Sequence, residues 1–106
     1  MTKAQKAAKK LKNKKLKEWS SAIKTRAKFK CEFCGQPHKY LNSHHIIGKR
    51  YEPLRFNLDN GIALCPTHHK YNYTISAHKN PLAFMIWMEK NRPEQSKKVR
   101  ELYERS

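Results

Sequence analysis

Apolar residues recur at helical spacing in the first third of the chain. Leu16, Trp19, Ile23 and Ala27 follow one another at intervals of three or four residues, the period of a helix with one buried face. A tryptophan on such a face packs against the domain rather than facing water. We therefore predict a scaffold helix from residue 16 onward, with Phe29 continuing its packing.

The middle of the chain predicts two short strands. Residues 40–47 form one, in which the neighbours His44 and His45 point to opposite faces because side chains alternate along a strand. Residues 61–64 (Gly-Ile-Ala-Leu) form the other. The connection over residues 48–60 is long for so small a domain, which favours a functional loop. Its alternating apolar residues are expected to tuck under as a small cluster: Leu54, Phe56 and Leu58.

Proline and asparagine residues mark the predicted helix boundaries in the rest of the chain. Cys65-Pro66 opens a helix through residue 71, because proline suits the first helical position. Asn80 is a candidate N-cap for a helix from Pro81, which Arg92-Pro93 breaks, and a last helix runs from residue 94 to about 105. The apolar side of the helix from Pro81 is predicted from Leu82, Met85, Ile86 and either Met88 or Glu89, widened by Phe84 and Trp87. The whole pattern is α+β: a small strand-containing core flanked by N- and C-terminal helices.

Charge changes the picture at the N-terminus. The formal net charge is +16, from 24 Lys and Arg against 8 Asp and Glu. Residues 1–30 hold 12 of the basic residues and one acid, for a net +11, and residues 31–106 hold 12 basic and seven acidic residues, for a net +5. Such an excess indicates a polyanionic partner, nucleic acid above all. We interpret residues 1–15 as a basic arm, helical or disordered alone and ordered on phosphate; a solvated helix without contacts is the alternative.

Cysteine spacing indicates a metal site. Four residues form Cys-x2-Cys and, 30 residues later, Cys-x2-His: Cys31, Cys34, Cys65 and His68. Four such ligands suit tetrahedral Zn²⁺, and a site closed by four protein ligands is structural. The alternatives are a redox pair at Cys31 and Cys34, or buried cysteines beside a surface histidine. Thiols reserved for metal favour a reducing compartment, and the absence of a long apolar run argues against a membrane span. We expect a cytoplasmic protein.

The remaining candidates carry a family resemblance. The order His44-His45-Ile46, then Asn60 to Cys65, then His68-His69 resembles the HNH endonucleases and their ββα-metal fold. The lead-in from Trp19 through Cys31-x-x-Cys34-Gly35 is similar to that of zinc-bearing members. The resemblance covers residues 16–78, and it predicts an HNH nuclease domain over residues 16–80, after the arm at 1–15 and before a helical extension at 81–106.

The resemblance implies roles for each of these residues. His44 and His69 would hold one catalytic divalent ion, His45 would be the general base, and Asn60 would brace the loop or the base. Imidazole ligands favour transition metals, so Mn²⁺, Ni²⁺ and Zn²⁺ are candidates beside Mg²⁺. The family usually has Cys where this chain has His68, which leaves open an exchange of His68 and His69 between the two sites.

The predicted activity is hydrolysis of double-stranded DNA to 5′-phosphate and 3′-hydroxyl ends. Candidate phosphate contacts are Lys49, Arg50, Arg55 and Lys70. Asn72 is a weaker candidate ligand, and His38 and His78 are expected on the surface. Two alternatives are a non-catalytic zinc-stabilised module that binds nucleic acid, and a protein-interaction module whose charge serves solubility. The resemblance extends to small phage-encoded HNH proteins and so to partners of a phage packaging system; the oligomeric state stays open.

Overall fold

The computed structural model describes residues 1–72 and 76–106. The main elements, in chain order, are helix α1 (Lys3–Arg26), strands β1 (Asn42–His45) and β2 (Gly61–Leu64), a π-helical turn (Thr67–Tyr71), and helices α2 (Pro81–Asn91) and α3 (Pro93–Arg105). Two 3₁₀ turns, Glu52–Leu54 and Leu58–Asn60, lie between the strands. The combination of helices with a two-stranded sheet confirms the α+β prediction. In the described parts of the chain, none of the helices is both long and apolar enough to cross a membrane.

Helix α1 begins with a capping box. The Thr2 side chain accepts a hydrogen bond from the Gln5 backbone N–H, and the Gln5 side chain accepts one from the Thr2 N–H, which satisfies two of the free amides at the helix start. The helix then continues without a break to Arg26, so the predicted arm forms its first half. The packing prediction for Phe29 is wrong: Lys28 and Phe29 adopt φ angles of 55° and 58°, which turn the chain away and leave Phe29 61% exposed.

The two strands pair antiparallel and are shorter than the first prediction. His44 pairs with Ile62 and His45 with Gly61. The Ile46 N–H still donates to the carbonyl of Asn60, its neighbour in the same register, but the Ile47 N–H donates to the Asn60 side chain instead. Strand β1 therefore ends at His45 and not at residue 47. At the other end β1 begins at Asn42, two residues later than predicted.

Each face of the sheet packs against a different helix. Residues directly paired across an antiparallel sheet share a face. One face carries Ala63 against Trp19 and Ile23 of α1. The other carries Ile62 and Leu64 into the main apolar cluster, whose other buried members are Cys31, Leu41, Cys65, Ala77, Phe84 and Met88.

Helix α2 buries only part of the predicted apolar side. Phe84 and Met88, one helical turn apart, enter the main cluster and are 2% and 0% exposed. The prediction is wrong for the other positions, with Leu82 at 72%, Met85 at 36% and Ile86 at 45% exposure. Every position of this helix segment from Leu82 to Met88 is apolar, so periodicity alone leaves the buried side undetermined.

Glu32, inside the first Cys-x2-Cys turn, ties that turn to three elements. Its carboxylate pairs with Arg26 at the end of α1 at 3.0 Å and with Arg92, between α2 and α3, at 2.8 Å. It also accepts a hydrogen bond from the Ala63 N–H of β2 at 2.9 Å. The carboxylate is only 10% exposed, and its two arginine partners meet the requirement that a buried charge be paired. The cysteine turn is therefore fixed relative to the sheet and both terminal helices.

Candidate metal centre and active site

The structure brings together the four residues of the predicted structural site. One ligand atom from each of Cys31, Cys34, Cys65 and His68 lies within 4.8 Å of the others. The Cys65 Sγ is 3.1 Å and the Cys31 Sγ is 3.9 Å from Nδ1 of His68. All three cysteines are free thiols, so the redox alternative of a Cys31–Cys34 disulfide does not describe this structure. Three sulfurs and one imidazole nitrogen at this spacing fit a tetrahedral Zn²⁺.

Two tight turns supply these ligands. In the first, the Gly35 N–H donates to the Cys31 carbonyl at 2.7 Å, and the Gly35 φ of 74° is one that glycine adopts without strain. In the second, the π-helical turn places His68 beside Cys65, and the Phe33 ring stacks on the His68 ring at 4.3 Å. The sulfur cluster thus spans the beginning of the domain and the end of β2.

The thiols of this cluster differ in acidity. Burial raises the pKa of Cys31, but hydrogen bonds from the backbone amides of Cys34, Cys65 and Phe33 outweigh it, so that the Cys31 pKa lies below its ordinary 9.0. Burial raises the pKa of Cys65, with a further contribution from the neighbouring thiols. Backbone amides aimed at Cys31 stabilise a thiolate, which is the form that binds metal.

A second cluster consists of three imidazoles. One ring nitrogen from each of His44, His69 and His78 lies within 4.8 Å of the others. Nε2 of His69 is 2.9 Å from Nε2 of His78, and the His44 ring centroid is 5.1 Å and 5.2 Å from those of His69 and His78. His68 and His69, adjacent in sequence, thus belong to different clusters, and the exchange between them that the sequence left open does not occur.

His78 was not predicted in this site. The chain returns alongside the π-helical turn after the undescribed residues 73–75: the Ala77 N–H donates to the His68 carbonyl at 2.9 Å, and the His78 N–H donates to the His69 carbonyl at 3.0 Å. His78 is exposed, as the sequence predicts, but its membership of the imidazole cluster was not predicted. A separation of nine residues fits neither helical nor strand periodicity, so the sequence carried no signal for this contact.

The imidazole cluster has the properties of a metal site. Burial, with the like charge of its neighbours as a second cause, lowers the pKa of His44 to about 3 and that of His69 to about 4. Both rings are neutral at pH 7 and keep a lone pair for a cation. Nδ1 of His69 is buried and has no hydrogen-bond partner within the described residues, the kind of atom that an ion or ordered water satisfies. Three imidazole ligands suit Zn²⁺ or Ni²⁺ more than Mg²⁺.

His45 lies on the opposite face of β1 and is held from two sides. Its ring stacks on Trp19 of α1, with the centroids 3.9 Å apart and the planes 11° from parallel. Nε2 lies 2.9 Å from the Arg55 carbonyl oxygen. A carbonyl only accepts, so Nε2 carries the proton of the neutral ring and Nδ1 keeps its lone pair.

The pKa of His45 lies below its ordinary 6.5. Burial is the largest cause, and the charges of Lys49 and Arg55 act in the same direction, while the hydrogen bond to the Arg55 carbonyl opposes them. His45 is therefore neutral at pH 7 and can accept a proton at Nδ1.

Asn60 braces the loop that follows β1. Its side chain is fully buried and accepts from the Ile47 N–H at 2.7 Å while donating to the carbonyls of Ile47 at 2.9 Å and Leu54 at 3.1 Å. The loop held in this way contains Arg55, whose carbonyl bonds His45. Leu54 is buried and Phe56 packs near Trp19, whereas Leu58 is 50% exposed and does not join the expected apolar cluster.

The imidazole cluster and His45 border the same cavity, which has a volume of about 640 Å³. The residues that line it include His44, His45, His69 and His78, together with Ser20, Lys49, Lys70 and Phe84. Lys49 and Lys70 are thus placed beside the imidazoles. Arg50 is exposed outside this lining. Arg55 uses its Nε to bond the Lys49 carbonyl at 2.6 Å, so its guanidinium supports the loop.

Two minor candidates lie apart from the cavity lining. His38 is exposed as predicted, and its Nδ1 accepts a hydrogen bond from the Tyr40 N–H at 3.1 Å. The Asn72 N–H closes the π-helical turn by donating to the Thr67 carbonyl, and a ligand role for its side chain stays a prediction.

Comparison with known proteins agrees with this geometry. Neither the curated proteins nor the solved structures gave a match. A comparison with protein-family models did give one, over residues 31–71, which include all four residues of the sulfur cluster, His44, His45, Asn60 and His69. The matching model is described as HNH endonuclease, so this segment is similar to the HNH endonuclease family, as its sequence motifs indicate.

Proposed function

We propose that the protein is a metal-dependent endonuclease that hydrolyses phosphodiester bonds in double-stranded DNA. The observation that carries this proposal is a neutral His45, bonded through Nε2 to the Arg55 carbonyl, on the same cavity as three imidazoles able to hold a cation. The similarity of residues 31–71 to HNH endonucleases supports nuclease chemistry at this cavity. The net charge of +16 fits a polyanionic substrate.

His45 performs the proton transfer in this proposal. Nδ1 accepts a proton from a water molecule as the water oxygen attacks phosphorus and the bond from phosphorus to the 3′-oxygen breaks. The products are a 5′-phosphate and a 3′-hydroxyl, the latter taking its proton from solvent. The imidazolium that forms faces Trp19, and the aromatic face stabilises that positive charge.

The other residues bind and position. His44, His69 and His78 would hold a divalent cation, which would supply Lewis-acid stabilisation of the charge that develops on the phosphate. Lys49 and Lys70 border the cavity and are placed to contact phosphate oxygens. Asn60 and the Arg55 carbonyl keep the His45 ring in its orientation and tautomer. Cys31, Cys34, Cys65 and His68 would hold a structural zinc ion that supports this framework.

Cleavage of supercoiled plasmid tests the proposal. The protein is assayed with Mg²⁺, Mn²⁺, Ni²⁺ or Zn²⁺, alongside His45→Ala and, as a matched control, His38→Ala, which removes a histidine outside the cavity. Loss of a general base costs about 10²- to 10⁴-fold in rate, so His45→Ala should be nearly inactive and His38→Ala close to wild type.

Two results would contradict the proposal in different ways. If His45→Ala cleaves like wild type, the assignment of the base is wrong. If the wild-type protein is inert with every metal while still binding DNA, the chain is instead a non-catalytic zinc-stabilised module that binds nucleic acid.

A further inference from the structure

The lysines of α1 are not evenly distributed around the helix. At 100° per residue, positions 6, 10, 14 and 17 fall on one side, and positions 9 and 13 lie on the flank of that side. They line a shallow groove on the helix surface: Lys6, Lys9, Lys10, Asn13, Lys14 and Lys17. Lys12 and Lys15 point to another side, and Lys15 lies over the Phe56 ring at 5.7 Å. We call the groove-lining set the lysine face.

The lysines of the lysine face are exposed and take no part in the ion pairs of the described chain. All five of its lysines are exposed. In the described chain the carboxylates pair with Arg26, Arg55, Arg92, Lys98 and Arg100, and none pairs with a lysine of α1. The capping box at Thr2 fixes the helix from its first turn, so the charges keep a defined spacing.

The lysine face continues along α1 from the residues that line the cavity. Leu16, Trp19 and Ser20 of α1 line the cavity, and Lys17, the last residue of the groove, lies between them in the sequence. At 100° per residue the lysine face is turned by roughly 100° about the helix axis from the side that carries these three residues. From Lys17 back to Lys3 the helix spans about 20 Å, the length of about six base-pair steps at 3.4 Å each. A duplex that extends from the cavity along α1 and is wide enough to reach both sides of the helix therefore meets a row of positive charge.

We propose that the lysine face of α1 is a second contact surface for duplex DNA, on which the backbone beside the scissile phosphate is bound and oriented. The inference rests on the proposed function for the identity of the polyanion. Charge complementarity and continuity with the cavity argue for a duplex. An anionic membrane surface is a poorer fit, because the other side of this half-helix offers mainly alanines and Leu11, too little apolar surface to insert.

Two interleaved double variants test the proposal. Lys10→Gln with Lys14→Gln removes two charges from the lysine face, and Lys12→Gln with Lys15→Gln removes two charges from the same helix segment outside the groove. Each phosphate contact contributes about 0.9 to the slope of log K against log salt. In a His45→Ala background, which separates binding from cleavage, the first pair should weaken duplex binding by about 10- to 30-fold near 0.15 M salt and reduce the slope by about 1.8. The second pair should change both much less.

The outcomes separate this proposal from the nuclease assignment. Equal losses in the two double variants would mean that the charge acts only as a diffuse field, and the proposal would be overturned. Binding to phosphatidylglycerol vesicles that depends on Lys10 and Lys14, with unchanged duplex binding, would also overturn it. If wild type is inert with every metal but the face-specific loss of binding is seen, the nuclease assignment fails and the DNA-binding face stands.

Discussion

At the scale of single residues, strand geometry gives two adjacent histidines different environments. His44 pairs with Ile62 and faces the α2 side, near Phe84 and the other imidazoles, whereas His45 pairs with Gly61 and faces α1. Alternation along a strand predicts this separation from the sequence. In the proposed function, His44 therefore binds metal and His45 transfers the proton, and the two rings do not occupy the same space.

The pH dependence of cleavage should follow His45. Its pKa is lowered by burial below 6.5, and only the neutral ring accepts a proton, so activity should persist through pH 6.5 and fall as pH drops through the lowered value. The measurement is kcat/KM from pH 4.5 to 8 with Ni²⁺, which imidazole ligands favour. A midpoint at or above 6.5, or the same acidic limb in the residual activity of His45→Ala, would assign the titration to another group.

Removal of His78 should weaken the binding of a divalent ion at the imidazole cluster. His78→Ala deletes one of three clustered ring nitrogens, and we expect Mn²⁺ affinity to fall by about tenfold or more, since even the outer partners of metal ligands are worth 10- to 100-fold. Titration calorimetry with the structural zinc in place measures this affinity, with His38→Ala as the control. Unchanged affinity in His78→Ala would return the site to the two ligands, His44 and His69, that the sequence indicates.

The limits of sequence analysis at this scale are physical. The division into a sulfur set and a histidine set follows from local spacing, because Cys-x2-Cys and Cys-x2-His turns are short-range devices. His78 depends on the path of the chain between the π-helical turn and α2, and the stack of Trp19 on His45 depends on how α1 docks. Long-range contacts of this kind leave no periodic pattern in the sequence.

At the scale of elements, one glycine determines how closely α1 approaches the sheet. A Cβ on Gly61 would lie 2.5 Å from Cδ1 of Ile23 and 2.6 Å from Cζ2 of Trp19. Both distances are below van der Waals contact, and the indole ring cannot rotate away without leaving His45. Gly61 is thus part of the support for the proposed base.

Gly61→Ala should therefore lower both stability and cleavage. Overpacking of this kind costs about 1–3 kcal/mol, and a displaced Trp19 loosens the His45 ring. The free energy of unfolding from denaturant titration and kcat measure the two effects. Gly48→Ala is the control, because a Cβ there meets nothing within 4 Å. A Gly61→Ala protein as stable and active as the Gly48→Ala protein would show that α1 can shift without consequence for the site.

The elements differ in how well their sequence predicted them. The helix boundaries at Asn80-Pro81 and Arg92-Pro93 follow from proline and side-chain capping, and α2 and α3 begin at Pro81 and Pro93. The ends of β1 could not be predicted, because they are set by which partner each amide meets in the folded loop. The buried side of α2 was predicted only in part, for Phe84 and Met88, because a segment apolar on all sides has no preferred face.

At the scale of the whole molecule, net charge opposes compaction and the metal cluster supports it. A charge of +16 on 106 residues repels itself in the folded state, and a chain this short buries only a modest core. Cys31 and Cys65 belong to that core, at 0% and 5% exposure, and they come from segments more than 30 residues apart. An ion bound between them would link the cysteine turn, β2 and the π-helical turn.

Removal of the structural ion should unfold the domain. Structural zinc supplies apparent binding free energies of about 10–16 kcal/mol in small zinc domains, more than the roughly 5–15 kcal/mol of net stability of a typical domain. A strong chelator should abolish the cooperative thermal transition, and added Zn²⁺ should restore it. Cys65→Ser should contain less than one equivalent of zinc and melt without cooperativity. His69→Ala, which alters only the imidazole cluster, should retain one equivalent and a cooperative transition. If chelation leaves the midpoint unchanged, the four-ligand cluster is not what joins these segments, and the apolar core with the Glu32 ion pairs suffices to hold the fold.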